Sequence, residues 1–519
     1  MSCNHDHPAP ALACPCPTHA FLRLGMMMAG QQAAPDPNVP PPSYSNETAT
    51  EPSRYADGDD SRTRDLFRTV EAGRALVISG ASVLPMTGTE ILPDHDVIIV
   101  DGVIRSVQPK GQALPEGAVT IDAAGQYLMP GLTDIHQHPP VAPIMLHLAG
   151  AVAPGGDPDE FTLPYDLAMF QYLASGITRI QVMAGTVEEL AMRQAIRAGR
   201  YRGPSMRVGM LVDGSPPMQS PIFSLIINDR EGGRMAARHI FESGYDFIKP
   251  YTILNREAYT GLVEEGLALG MEIMGHIPRA VGPDDAFAMG QTGVAHVFEY
   301  FWNESDPDRS SAQVRGRRVR ASAEHGVSVQ TTLVAARMLE YDTGWNTEGV
   351  SFDEMYDPLI RKVMREDSPF IQWFRSDPFL QPSGRDALAL SVATCQELVA
   401  VGVPILPGTD CVPSSITGEH SIHHELRMFV EQVGMTRLDT LRAATIDSAR
   451  YQGEADVAGT IEAAKRADLL LLDTNPLDDI GATRSIDTVI LGDAILDRQS
   501  REKGLARLKA TYDAMPVPD

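Results

Sequence analysis

The sequence predicts a (β/α)8 barrel joined to a small β-sandwich that is built from both flanks of the chain. Three observations predict it. Short apolar strands alternate with helical stretches from about 128 to 453, the pattern of βα units around a parallel sheet. Strand-rich patches stand at both ends of the chain, and several of the central strands end in side chains able to bind a metal. The 519 residues leave room for a barrel of about 250 residues and a second module.

Residues 1–72 are rich in Pro, Ser, Asp and Thr without periodicity and are read as a largely irregular tail or arm. Cys3, Cys14 and Cys16 beside His5, His7 and His19 could suggest a metal-binding tail, but nothing apolar surrounds them, and a leader is the reading preferred. The stretch Ala20 to Ala29 is short for a signal core and is broken by Arg23. A cytoplasmic location is expected, with an exported form as the alternative.

The sandwich is assigned to 73–127 and 454–519. Its strands are Ala75 to Leu84, Asp96 to Val107 (divided by the Asp101-Gly102 turn), Val119 to Ala123, Ala467 to Asp473 and Thr488 to Leu496. The barrel is assigned to 128–453. Its eight strand candidates are Tyr127-Leu-Met, Ile177 to Met183, Met206 to Val212, Asp246 to Lys249, Glu272 to His276, Val294 to Phe298, Val327 to Leu333 and Pro404 to Pro407. Helices are expected between them, among them Val187 to Gly199 and Glu257 to Gly270, the latter with a C-cap glycine. A doubly wound open sheet is the alternative, but no Gly-rich phosphate loop follows the first strand. The stretch at about 338–388 exceeds a normal connection and is expected to be a mostly helical insertion over the barrel mouth.

Composition narrows the partners. A net charge of −25 without any Lys/Arg-rich block argues against nucleic acid and anionic lipid. No run of 18 apolar residues exists to span a membrane. A small-molecule substrate and a homo-oligomeric assembly are the expectations that remain. Lysine is scarce, only six in the chain, which makes a lysine in an apolar strand conspicuous.

Gly131-Leu-Thr-Asp-Ile-His136-Gln-His138 places two imidazoles two residues apart, so on an extended segment both face one way. Lys249 ends the fourth strand, His276 the fifth, His296 sits in the sixth, and Asp410 follows the eighth in Pro-Gly-Thr-Asp. Lys249 and His276 are 27 residues apart and His276 and His296 are 20 apart, each about one βα unit. In a barrel these strand ends converge on one mouth. Singly, a histidine can be a satisfied core residue and Asp410 a helix N-cap; a bare buried ammonium has no comfortable structural reading.

The order His-x-His, Lys, His, His, Asp resembles the binuclear metal-dependent amidohydrolase superfamily, and within it the prolidase-like and imidazolonepropionase-like group. The likeness covers about 75 to 500 and includes Phe247-Ile248-Lys249, Gly275-His276-Ile277-Pro278, Leu441-Arg-Ala-Ala-Thr445, Gly459-Thr-Ile-Glu462, Lys465-Arg-Ala-Asp-Leu469 and Asn475-Pro476-Leu477. Two departures are the Thr178-Arg-Ile-Gln-Val182 segment, where the family often has Thr-Thr-Val-Arg-Asp, and Ala295, where a glutamate is usual.

The resemblance implies two divalent metal ions, Zn²⁺ above Mn²⁺ or Co²⁺. It implies an N6-carboxylated Lys249 bridging them, His136, His138 and Asp410 on one ion, and His276 and His296 on the other. Asp410 would be the catalytic proton carrier and Tyr251 a donor to the oxyanion, with Arg279 and His147 as substrate-binding candidates. His423 and His424 would lie outside the ligand set. The implied reaction is hydrolysis of an amide C–N bond in a dipeptide or N-acyl amino acid. Alternatives are a lactonase, phosphotriesterase-like or cyclic-amide activity on the same centre, a deaminase, or a catalytically dead binding protein.

Overall fold

The computed structural model describes residues 61–89, 91–139, 163–215, 224–302, 311–348, 361, 364–376, 381–410 and 422–515. In chain order the flanking strands are β1 Arg68–Thr69, β2 Ala75–Val83, β3 Leu92–Val100, β4 Val103–Pro109, β5 Val119–Asp122 and β6 Tyr127–Pro130. There follow β7 Leu132–Gln137, β8 Ile177–Val182, β9 Ser205–Asp213, β10 Ser224–Ile226, β11 Phe247–Pro250, β12 Glu272–Gly275, β13 Gly293–Ala295, β14 Ser328–Gln330 and β15 Ile405–Leu406. The C-terminal flank supplies β16 Asp468–Leu472, β17 Ile486–Leu491 and β18 Ala494–Asp497.

Both flanks build one sheet, in the order β1-β18-β17-β16-β6-β2-β3-β4 with β5 on β2. The two ends of the chain meet where β16 pairs antiparallel with β6, Leu469 opposite Pro130 and Leu472 opposite Tyr127. The four consecutive leucines of β16 have a simple cause. Leu469 and Leu471 face the core of this sheet, while Leu470 and Leu472 face the larger core shared with the barrel, so the strand is buried on both sides.

The barrel strands run β15-β14-β13-β12-β11-β9-β8-β7, all parallel, with β10 beside β9. Backbone bonds from Ile135 N–H to Pro407 O (3.1 Å) and from Asp410 N–H to His136 O (2.9 Å) bring the last segment back against β7. A helix lies in each crossover. Helix Val187–Arg197 starts on a Thr186/Glu189 capping box. Helix Arg256–Ala268 starts on Asn255 and is followed by Gly270 at φ +75°.

One reading of the sequence needs correction. Tyr127–Pro130, read as the first barrel strand, belongs to the flanking sheet, and the first barrel strand is Leu132–Gln137. Both runs are apolar and only Gly131 divides them, so periodicity cannot tell which sheet each joins. Gly131 is needed at the crossing, because a side chain there would collide with Thr178. Strand β1, at the end of the stretch read as a largely irregular tail or arm, pairs with β18. Just before β1, Asp65 receives ion pairs from Lys503 and Arg507 of helix Arg498–Ala514. That helix also packs on the barrel, with Gly504 against Phe170. Within the stretch at about 338–388, the described elements are helical: Leu333–Asp342, Pro369–Ser376, Gln381–Gly384 and the start of Ala387–Ala400. Among the described residues, no helix is long and apolar enough to cross a membrane.

Helices Arg230–Glu242 and Arg256–Ala268 approach backbone to backbone. A Cβ at Gly261 would overlap the Arg230 carbonyl, and one at Gly233 the Ala258 carbonyl. Gly261→Ala is therefore expected to cost on the order of 3 kcal/mol by forcing the helices apart. Urea denaturation measures it, and a loss below about 0.5 kcal/mol would show that the pair separates freely.

Candidate metal centre

Strand parity fixes most of the site. Along β11, Phe247 turns into the barrel, where it packs with Met183, Met274 and Ala295, and Lys249, two residues on, turns the same way. Met274 and His276 repeat this on the next strand. Gly275 leaves space for the lysine stem, since a Cβ there would stand 2.9 Å from Lys249 Cγ. His296 breaks the rule. It directly follows the inward Ala295, and a left-handed backbone (φ +73°) turns it inward too. Asp410 has the same conformation (φ +51°). Such φ values are uncommon away from glycine and gather at functional sites.

The side chains converge. Asp410 Oδ1 lies 3.2 Å from His136 Nε2 and 3.1 Å from His138 Nε2, and Oδ2 lies 3.7 Å from His296 Nδ1. The His296 ring is 4.5 Å from that of His136 and 4.7 Å from that of His276. Tyr251 meets His276 edge-on at 4.3 Å, and Lys249 Nζ sits 5.7 Å over the Tyr251 ring. Phe298 stacks on the other side of His296 at 4.4 Å.

Burial sets the charges. It lowers His136 to about 4 against the pull of Asp410, and it holds His296 well below its ordinary value. Both are neutral imidazoles at pH 7, the metal-binding form. Burial also lowers the Lys249 amine to about 8, opposed by Asp410 and Glu299, which enlarges the neutral fraction able to react with CO2. Burial pushes the Asp410 carboxyl upward, but His136 and His296 outweigh it and hold the group well below the carboxylate range.

The donor atoms of His136, His138 and Asp410 lie within 4.8 Å of one another, as metal ligands do. His136 Nε2 is buried and, although 3.2 Å from Asp410 Oδ1, makes no well-formed hydrogen bond. An orphaned imidazole nitrogen facing a carboxylate and other imidazoles fits a divalent ion, and the absence of thiolate suits zinc, manganese or cobalt.

A buried scaffold supports these ligands, and the sequence reading did not single it out. Asp134 accepts from the backbone N–H groups of His136 (3.2 Å) and Thr409 (3.1 Å) and from the Thr409 hydroxyl (2.8 Å). It thereby ties β7 to the loop that carries Asp410. Burial raises the Asp134 carboxyl to about 7, although the bonds from Thr409 and Gln137 oppose this. Gly408 allows the close approach, since a Cβ there would come 2.7 Å from that of His136. His136 Nδ1 meets Gln330 Oε1 at 2.9 Å, His296 Nδ1 meets Thr332 Oγ1 at 2.8 Å, and His276 Nδ1 meets Glu299 Oε1 at 2.7 Å. The sequence signal for these partners was polarity at and just past the ends of strands six and seven.

The remaining candidates divide. Arg279 follows His276-Ile-Pro at the C-terminal side of β12 and is half-buried, its backbone N–H bonded to Thr252 O. His147 lies outside the described residues. His423 is at the other end of the barrel, bonded to Ser175 O (3.0 Å), ahead of β8, and to Thr483 Oγ1 (2.9 Å). There it joins barrel to sheet, away from the ligands. His424 meets Arg427 at 2.9 Å.

Residues 314–496 match the model of the amidohydrolase family. That match covers 183 of the 519 residues. A 5-methylthioadenosine/S-adenosylhomocysteine deaminase of Symbiobacterium thermophilum is 26% identical over 427 residues, 77% of this chain and 85% of that protein. An adenine deaminase of Paracoccus denitrificans is 38% identical over 106 residues, 19% of this chain and 17% of its own length. The first curated relatives are matched over only 12% to 17% of their length. A crystal structure of a Xaa-Pro dipeptidase with bound methionine in the active site superposes with a TM-score of 0.62 at 17% identity, over 82% of this chain and all of the other. The amidohydrolase fold, a parallel barrel with a separate β-sheet domain, is thus common to both.

Arg179 and Gln181 of the Thr178-Arg-Ile-Gln-Val182 segment are buried inside the barrel. Gln181 Nε2 donates to the sulfurs of Met183 and Met274. Arg179 is buried against Thr133 Oγ1 (3.2 Å) and Glu454 (3.2 Å). Glu454 also pairs with Arg466, just ahead of β16.

Proposed function

We propose that this amidohydrolase cleaves an amide C–N bond in a small peptide-like substrate, a dipeptide or N-acyl amino acid, at a centre holding two divalent ions. The observation that carries the reading is the convergence of His136, His138, Lys249, His276, His296 and Asp410 on one barrel mouth. His136, His138 and Asp410 would hold one ion and His276 and His296 the other, with Lys249, as its carbamate, between them. When bound, such ions lower the pKa of a water and polarise the substrate carbonyl. Zinc is the ion favoured.

Asp410 lies between the imidazoles and is ionised, so it can take the proton of the attacking water and return it to the leaving nitrogen. Tyr251, in edge contact with His276, would donate to the oxygen that gains charge. The planar fork of Arg279 could pair with a substrate carboxylate, and His147 is the other candidate for orienting the substrate.

Matched amides with and without a free carboxylate test the assignment. Wild type is expected to prefer the carboxylate by on the order of 10²-fold, about 3 kcal/mol. Arg279→Ala is expected to lose most of that preference while keeping its metals. Inert amides with fast turnover of lactones or phosphotriesters would overturn the peptide-like assignment. A deaminase is the second reading, motivated by the deaminase relatives, and ammonia release from adenine or adenosine measures it. Against that reading, the position three residues after His276 is Arg279 and not an acid.

A further inference from the structure

Gln330 ends strand β14 fully buried, and its backbone carbonyl accepts from His296 N–H at 2.9 Å. Its side-chain amide has two unlike ends, a carbonyl that only accepts and an NH2 that only donates. Which end meets His136 Nδ1 decides the tautomer of that imidazole. If the carbonyl meets it, Nδ1 carries the proton and Nε2 keeps its lone pair. If the NH2 meets it, Nδ1 accepts and the proton sits on Nε2, which faces Asp410 Oδ1 at 3.2 Å. His136 and Asp410 would then satisfy each other without an ion.

The surroundings select the first arrangement. Gln330 Oε1 stands 2.9 Å from His136 Nδ1. Its Nε2 points to the Met274 sulfur at 4.0 Å and meets the Tyr451 hydroxyl. A thioether sulfur accepts, weakly, and never donates. The same sulfur receives Gln181 Nε2 at 3.0 Å and the Tyr451 hydroxyl at 3.3 Å. The Tyr451 proton is spent there, so its oxygen is left to accept from Gln330. A turned amide would set its carbonyl oxygen against the lone pairs of both the sulfur and the phenol. Gly293 gives Tyr451 its place, because a Cβ there would collide with the hydroxyl. Met274 and Tyr451 thus fix the amide, and the amide fixes the imidazole.

We propose that Gln330 is a positioning residue that holds His136 in its metal-binding tautomer, with its own direction set by Met274 and Tyr451. This rests on the reading that His136, His138 and Asp410 hold an ion.

The test uses the full chain as wild type, Gln330→Met, Gln330→Glu and Met274→Leu. Zinc per chain is measured by mass spectrometry across a series of chelator-buffered zinc concentrations, and thermal midpoints of the metal-free proteins are taken alongside. His136→Ala identifies the binding step that belongs to the His136 ion. Gln330→Met keeps the length of the side chain and removes the amide carbonyl. That ion is expected to bind about 10- to 100-fold more weakly, the range for losing an outer partner of a metal ligand, with any other ion held as before. Gln330→Glu still offers Nδ1 an acceptor, so it is expected to bind the ion at least as tightly as wild type. Met274→Leu removes the sulfur that directs the amide and is expected to weaken the same ion by about 3- to 10-fold, part of the loss of the amide itself.

Wild-type affinity in Gln330→Met would show that no acceptor is needed, and an equal loss in Gln330→Glu that only shape matters. Either result overturns the positioning role and leaves the ion site standing. Equal weakening of every ion in Gln330→Met, with a lowered midpoint, would make Gln330 merely structural and overturn it as well. If Gln330→Met does not fold, Met274→Leu decides, and an unchanged affinity there overturns the proposal. A wild type that binds no zinc overturns both the site and this proposal.

Discussion

Removing divalent metal from the protein should abolish amide hydrolysis, by 10³-fold or more, and adding back zinc or manganese should restore it. The reason lies in the charges. His136 and His296 are buried and neutral, Asp410 is ionised between them, and His136 Nε2 faces Asp410 Oδ1 at 3.2 Å without a well-formed hydrogen bond. An unpaired polar atom in such a place is costly, and an ion that uses it stabilises the fold. Zinc should therefore also raise the thermal midpoint of the chelated protein. An ion at about 1,000 times its dissociation constant adds about 4 kcal/mol. The two readouts are activity and midpoint, each against zinc concentration. Unchanged turnover in metal-free protein would sink the hydrolytic reading, and an unmoved midpoint would remove the stability argument.

Lys249→Met should lose at least 10³-fold in activity and about one metal equivalent while still folding. Lys249 is 1% exposed, and its amine is lowered to about 8 by burial. As a carbamate it would present two oxygens to the ions, and methionine keeps the stem but offers none. A short carboxylate such as acetate, added to Lys249→Ala, should recover part of both losses by occupying the vacated space. Equal metal content and rate in the variants would assign Lys249 a structural role only.

The apo protein supplies a second signature of Lys249. Because its folded pKa lies below the ordinary 10.5, the unfolded chain holds more protons between pH 8 and 10.5, so this group makes stability rise with pH across that window. Lys249→Met should lack the rise. A wild type that shows no such increment relative to the variant would place the amine in a more polar setting than its burial indicates.

Much of this protein was determined by local sequence. The strand-helix alternation follows from apolar period and turn chemistry. The inward direction of Phe247 and Lys249, or of Met274 and His276, follows from two-residue parity, which one strand contains in itself. The same parity brought His136 and His138 to one face. The tertiary structure decided what depends on partners far away in the chain. Tyr127–Pro130 and Leu132–Gln137 carry similar apolar signals, and only their pairing, with β16 and with β8, sends one to the sheet and the other to the barrel. His296 and Asp410 reach the centre through positive φ, a backbone state that no pattern of side chains announced. Glu299, Gln330 and Thr332 became partners of the imidazoles because neighbouring strands end at one height, and His423, although in the expected helix, was carried by the same fold to the opposite end. A hydrogen bond across 194 residues, such as His136 to Gln330, exists only once the barrel has closed.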